Sequence, residues 1–301
     1  MRYGLVRYLA MLPIAAALVC GACSRSDGEK PAAKPEAKPA AAATAQAPAA
    51  PAKPDVSGDG DSTPSSAPLL IYCAQEVRAP VEEVVKGIRT TLGIECRLEC
   101  EGAPELLSRI GRMKQADVFV ADHSDYLDMA QKEGFVKPED VKTLAYLEPG
   151  LLVAKGNPKQ IKSVEDFRRA GDRNARTTVA LADPEKCGLG LITQRIFEEN
   201  KIPWAAIEAS TQLKVPAEHL LIMPASQGAV DLCIVRHVEA AKVAGACDFV
   251  PIPPRQNVLS VVTAATLSTS RRGDEARQVV DYMAGPDGRA VFKRAKYKMD
   301  V

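Results

Sequence analysis

Residues 183–190 read DPEKCGLG, directly after the strand-like run TTVALA (177–182) and before LITQRIF. A strand that enters a glycine-containing turn and then an amphipathic helix leaves backbone N–H groups exposed at the helix start, which is a ready seat for an anion. The glycines at 188 and 190 lack the third glycine and the place after the first strand that a dinucleotide fingerprint needs. A seat for another ligand and a plain turn both stay open. Other reactive residue types are scattered. His123, His219 and His237 lack metal-ligand spacing, and His219 beside Glu218 is the one hint of a cation site. The six cysteines beyond residue 23 (Cys73, Cys96, Cys100, Cys187, Cys233 and Cys247) form no CxxC pair and no Cys/His spacing that resembles a zinc site. No GxSxG, HExxH or Cys–His arrangement supplies a nucleophile with a base or a metal with its ligands. The sequence therefore reads as that of a binding protein, not an enzyme, and calls for no cofactor.

Charge and composition narrow the class. The chain has 301 residues, 46% of them apolar, with 39 basic and 38 acidic side chains. This length suits about two domains. The first 22 residues carry Arg2 and Arg7 and no acid, so the remainder holds 37 basic against 38 acidic residues. Nucleic acid as a partner would call for a strong basic excess. MRYGLVR followed by YLAMLPIAAALV is a basic segment and a short apolar run, which fits an export signal better than a membrane span. Gly21 and Ala22 before Cys23 resemble a bacterial lipoprotein cleavage site, with Cys23 as the lipidated first residue. Cys20, three positions earlier, departs from the usual aliphatic residue there. The expectation is a signal peptide over 1–22, removed on export, and a protein held at the membrane by its lipid.

Residues 24–67 contain almost no large apolar side chain and are rich in Ala, Pro and Lys. Such a stretch cannot bury a core and is expected to be a disordered tether. From Leu69 onward the pattern alternates. LLIYC, IECRLEC, ADVFVA, LLVA, TTVALA, VDLCIV and VLSVVTAATL read as strands. Between them lie helical periodicities such as VRAPVEEVVKGIRTTLG and PELLSRIGRMK. SVEDFRRAG reads as a helix whose start is close to a capping box, with Ser163 and Asp166 three residues apart. Alternating β and α elements argue for mostly parallel α/β sheets.

In order and spacing, YCAQEVRAPVEEV, QADVFVADHSDYLDMA, LLVAKGNPKQIKSVEDF, VALADPEKCGLG, QGAVDLCIV and VVDYMAGPDGRAVFKRAKY resemble the substrate-binding proteins of ABC importers. The branch they are most similar to is the molybdate/tungstate type. The resemblance implies a two-lobed type II periplasmic-binding-protein fold, each lobe a mostly parallel sheet flanked by helices. Lobe one would be 68–149 plus 256–301, lobe two 150–255, with hinge strands near 148–154 and 258–266. It further implies an exported monomer whose partners are a small oxyanion and an ABC permease/ATPase complex.

The resemblance also points to a pocket of four loops. The first offers Gln75 and Glu76 where the family often has a serine. In the second, Gly102 and Ala103 stand where a serine is common. The third is Gly188 and Leu189, acting through backbone N–H groups. The fourth spans Glu218 and Arg236, where molybdate binders often place a tyrosine. Glu76 and Ala103 remove hydroxyl donors, and Glu76 adds a like charge, which Arg236 could offset by a forked contact. Glu76 could point outward, or pair with Arg78 or Arg236. Cys73 and Cys100 would end neighbouring strands. Separate thiols are the default, and a disulfide would need Cα atoms within about 7 Å.

Overall fold

The computed structural model describes residues 67–171 and 176–300. The expected signal peptide, Cys23 and the tether up to residue 66 lie outside the described residues. In chain order the strands are β1 (Leu69–Ala74), β2 (Cys96–Glu101), β3 (Val118–Ala121), β4 (Val136–Leu147), β5 (Pro149–Ala154), β6 (Ala180–Ala182), β7 (Leu213–Val215), β8 (Leu232–Arg236), β9 (Cys247–Pro251) and β10 (Ser260–Leu267). The α-helices are α1 (Arg78–Leu92), α2 (Ala103–Met113), α3 (Ser124–Lys132), α4 (Gly188–Glu199), α5 (Trp204–Ser210), α6 (His219–Ser226), α7 (His237–Ala241), α8 (Gly273–Ala284) and α9 (Pro286–Arg294).

One sheet has the order β2-β1-β3-β10-β4. β1 runs parallel to β2 and β3, and β10 returns antiparallel between β3 and β4. All six residues of β1 are buried, as expected for a strand covered on both faces. α1 buries Val81, Val84 and Ile88 at helical spacing and ends on Gly93 in the left-handed region (φ 68°). The second set of strands is antiparallel, in the order β8-β5-β9, and β6 and β7 form a short parallel pair. The expected parallel pairing is thus limited here to β6-β7 and a single bridge, Val179 to Leu232. The physical reason is that β5 enters this layer between two strands that both return toward the first sheet.

Two apolar clusters form. The first contains Ile71, Phe119, Leu127, Val262 and Phe292, and the second Leu151, Phe167, Phe197 and Ile234. The chain leaves the first cluster between Leu147 and Leu151 and returns between Ile252 and Val262. Asn257 Nδ2 donates to the Pro149 carbonyl (2.9 Å), which ties the two crossing segments together. His237 accepts from the Glu148 N–H at Nδ1 (3.0 Å), and its own N–H donates to the Glu148 carbonyl (2.9 Å).

Two elements differ from the sequence reading. The twelve residues of β4 include Pro138 and a run of exposed charged positions, which hide the strand pattern, and an edge strand tolerates both. Residues 164–171 form 3-10 turns instead of an α-helix, although Asp166 does accept from the Lys162 (2.7 Å) and Ser163 (3.1 Å) N–H groups.

Candidate functional site

The last residue of β8 is Arg236, and all five residues of that strand are buried. A guanidinium in such a place is costly unless it is paired and hydrogen-bonded. Here Nη1 donates to Glu218 Oε2 (2.9 Å) and Nη2 to Asp122 Oδ2 (2.6 Å). The Arg236 backbone N–H also donates to Glu218 Oε1 (2.6 Å). The three side chains are 1%, 2% and 0% exposed in the order Arg236, Glu218, Asp122, so these are dry ion pairs. Burial pulls the guanidinium down, but the carboxylates of Asp122, Glu218 and Glu76 outweigh it and hold Arg236 above its ordinary range. Burial raises the Glu218 carboxyl, and Arg236 offsets part of that rise.

Each partner arrives from a defined element. Glu218 immediately precedes α6. Asp122 directly follows β3, so it stands beyond the C-terminal end of a central strand, where open α/β sheets bind ligands. Its backbone carbonyl accepts from Ser260 Oγ on β10 (2.7 Å). The next residue, His123, caps α3 by accepting the Asp125 N–H at Nδ1 (3.1 Å).

Asp122 directly follows β3, whose residues belong to the first apolar cluster, and Arg236 ends β8, whose apolar residues belong to the second, so their ion pair links the two clusters. Arg195 on α4 and Asp125 on α3 make a second, more exposed tie (2.9 Å). Two glycines let the walls approach. A Cβ on Gly102 would sit 2.5 Å from the Lys186 carbonyl oxygen, and a Cβ on Gly188 would overlap the Asp122 carboxylate. The Asp122 side chain therefore rests against the first turn of α4, the segment read from the sequence as an anion seat.

Glu76 lies in a 3-10 turn (Gln75–Val77) between β1 and α1. Its Oε2 is buried and has no hydrogen-bond partner. Burial, then the charge of Asp122, push its carboxyl up to about 8, against an opposing pull from Arg236. Glu76 is thus protonated at neutral pH. The expected pairing with Arg78 or Arg236 is not found. Arg78 binds Glu82 (2.6 Å), and Arg236 is held by two other carboxylates. An outward orientation is not found either, because Oε2 faces inward.

A cavity of about 370 Å³ opens beside this cluster. Of the residues singled out in the sequence, Gln75, Glu76 and Glu218 line it, together with His219 and the Arg78, Glu82, Glu239 and Lys242 side chains. Arg236 sits behind Glu218. Ala103 and Leu189 lie in the first turns of α2 and α4 and are fully buried, backbone included. Gly102 and Gly188 pack across the cleft as described. Sequence reasoning missed Asp122, although a charged residue directly after VFVA at a strand's C-terminal end was a usable signal. Among the described residues, no group of three or more His, Cys, Asp or Glu could hold a metal ion, so His219 beside Glu218 gains no support. Cys73 and Cys100 are register partners on β1 and β2 and remain free thiols.

Comparison with known proteins fits this architecture. Residues 69–298 match the family described as "Bacterial extracellular solute-binding protein". The molybdate-binding protein ModA of Mycobacterium bovis is 23% identical over 251 residues, covering 79% of this chain and 90% of that one. Among solved structures, AfuA from Actinobacillus pleuropneumoniae with fructose-6-phosphate aligns with a TM-score of 0.65 at 17% identity, covering 77% and 84% of the two chains. Iron-bound HitA from Pseudomonas aeruginosa aligns equally well, with a TM-score of 0.65 at 15% identity and coverage of 76% and 86%. The match over residues 69–298 makes this chain a member of the bacterial extracellular solute-binding protein family, and its fold is the type II periplasmic-binding-protein fold of its structural neighbours.

Proposed function

We propose that the chain is the ligand-capturing subunit of an ABC importer and binds a small oxyanion, of the molybdate or tungstate kind, in the cleft. The observation that carries this reading is the position of the Asp122 carboxylate, against the first turn of α4 and on Arg236. Oδ2 rests on the guanidinium, and the carboxylate lies against the helix start, where Oδ1 is buried without a hydrogen-bond partner; an oxyanion takes this kind of place. In this reading, backbone N–H groups at Gln75 and Glu76, Gly102 and Ala103, and Gly188 and Leu189 become available to a ligand when the two lobes part. In this reading the lobes (68–149 plus 256–301, and 150–255) close about the crossing segments. An oxyanion that bridges both walls binds the closed form better and so shifts the population toward it. The closed form then docks on the permease as a monomer. The ModA relative, which binds molybdate, and AfuA, which was solved with a sugar phosphate, support an oxygen-rich anion.

A second reading has one observation in its favour. Two carboxylates (Asp122, Glu218) hold one guanidinium, with the Glu76 carboxyl beside them, and this surplus suits a ligand that carries a cationic group. HitA, a fold neighbour that binds iron, is consistent with it. A thermal-shift screen of the full chain against molybdate, tungstate, sulfate, phosphate and phosphonates, with divalent cations and small amines in parallel, separates the two. Stabilisation by an oxyanion is expected, and stabilisation by cations alone would reverse the order of the readings. The proposed lipid anchor has its own test. Mass spectrometry of membrane-extracted protein is expected to find Cys23 diacylated at the mature N-terminus, and a mature chain starting elsewhere would remove the anchor.

A further inference from the structure

Gln75 and Glu76 stand where the resemblance calls for a serine hydroxyl, and Glu76 cannot play that part as a carboxylate, which only accepts hydrogen bonds. As a carboxylic acid it has one O–H to give. Its buried Oε2 has no partner within the protein, and the residue lines the cavity beside the cleft. The groups facing it explain why no counter-ion holds it ionised. Asp122 comes from the end of β3, Glu218 from the start of α6, and Arg236 from β8. Cys73 from β1 and Cys187 from the start of α4 face it as well. Tyr297, from the C-terminal segment, donates its O–H to the Glu76 backbone carbonyl (3.3 Å) and not to the carboxyl group. On the cavity rim Arg78 pairs with Glu82 and Lys242 with Glu239, and His219 completes that side. Arg236, the cation nearest Glu76, is already shared by two carboxylates.

We propose that Glu76 acts as a neutral carboxylic acid that donates its O–H to the bound oxyanion, so that capture above neutral pH takes up one proton. This deepens the oxyanion reading and rests on it. No bond to the ligand forms or breaks: an ionised Glu76 takes its proton from water or buffer on binding, and the proton then stays on the carboxyl and is shared with a ligand oxygen. A neutral acid adds a donor without adding charge to a wall that already holds Asp122 and Glu218. An ionised Glu76 would offer no donor and would repel the ligand. The raised position of this carboxyl, at about 8, is consistent with the role.

The test is calorimetric titration of the full chain with molybdate and with sulfate, both ionised throughout, from about pH 6 to about pH 9.5 at constant ionic strength. Affinity is expected to be flat to about pH 7 and then to weaken about tenfold per pH unit above about pH 8. In that upper range, buffers of different ionisation heat should report uptake of about one proton per ligand. Glu76→Gln keeps a donor and cannot ionise, so its affinity should stay flat across the range, whereas Glu76→Ala should bind more weakly throughout. A parallel arm needs no ligand: carboxyl-carbon NMR of glutamate-labelled chain should place the Glu76 titration well above the usual carboxylate range. Titration in the ordinary range overturns the proposal while leaving oxyanion binding intact, and so does an identical pH profile in the wild type and Glu76→Gln. A high titration with no oxyanion bound at any pH overturns the oxyanion reading and this role with it. The wild-type pH profile and buffer heats decide the matter even if a variant fails to fold.

Discussion

Replacing Asp122 by Asn tests whether its carboxylate stands in for the ligand. The substitution removes one buried charge and one charge-assisted hydrogen bond to Arg236 (2.6 Å), a bond worth about 1.5–3 kcal/mol. Arg236 keeps both contacts to Glu218, so no cation is orphaned. With Glu76 neutral, the ionised carboxylates around it fall from two to one, which matches the single positive charge of Arg236 and offsets part of the loss. Net stability is therefore expected to change by no more than about 2 kcal/mol. Ligand affinity should respond more strongly. A carboxylate about 4 Å from an incoming anion repels it by roughly 4 kcal/mol at an effective dielectric of 20, taken as an upper bound. Even half of that tightens binding by more than about tenfold. Calorimetric titration of the wild type and Asp122→Asn with molybdate and sulfate at fixed pH and ionic strength reads the effect. Unchanged or weaker oxyanion binding in Asp122→Asn would refute the stand-in argument and make Asp122 a residue that positions Arg236 for the ligand. For a cationic ligand the sign reverses, so this variant also divides the two readings of the site.

Arg236→Met leaves Asp122 and Glu218 buried without their cation, and chemical denaturation should show a loss of about 3–5 kcal/mol, with a loss under about 1 contradicting the pairing. Glu76 sits at about 8 in the folded chain against a reference value of 4.5, so the folded state holds the extra proton between those values. Its stabilising contribution is full below about 4.5 and is lost as pH rises through about 8. The wild type should therefore lose stability relative to Glu76→Gln over that window, by at most about 5 kcal/mol at about 1.4 kcal/mol per unit, and parallel stability curves would contradict it. Gly102→Ala places a methyl group 2.5 Å from the Lys186 carbonyl across the cleft without straining α2, whose preceding residue has an ordinary φ of −59°. Scattering measurements should find this variant more open and ligand titration should find it weaker, whereas wild-type dimensions and affinity would show that the contact yields.

Much of the fold was legible because buried elements announce themselves. β1 and β3 are uninterrupted apolar runs, β8 is apolar up to its terminal Arg236, and α1 repeats its valines at helical spacing. β4 was hidden because an edge strand needs only one apolar face and can carry Pro138. Sequence reasoning reached Glu218 and Arg236 through the loop positions of the family, but not their bond, because the two residues are 18 apart in sequence and on different elements. Asp122 escaped because its partner is 114 residues away, and no local spacing records such a contact. For Glu76 the sequence left three orientations open. The inward position was open in the sequence as the pocket reading, but its Oε2, buried without a hydrogen-bond partner, depends on neighbours drawn from β3, α6 and β8.

The central claim is that an oxyanion binds between the start of α4 and Arg236. Crystals of the protein grown or soaked with tungstate, measured for anomalous scattering near a tungsten absorption edge, test it most directly. The account predicts a single strong peak in the cleft, within hydrogen-bonding reach of the Gly188 and Leu189 N–H groups and of Glu76, with Asp122 turned away from Arg236. A cleft without tungsten at saturating tungstate, with the Asp122–Arg236 pair intact, would contradict it.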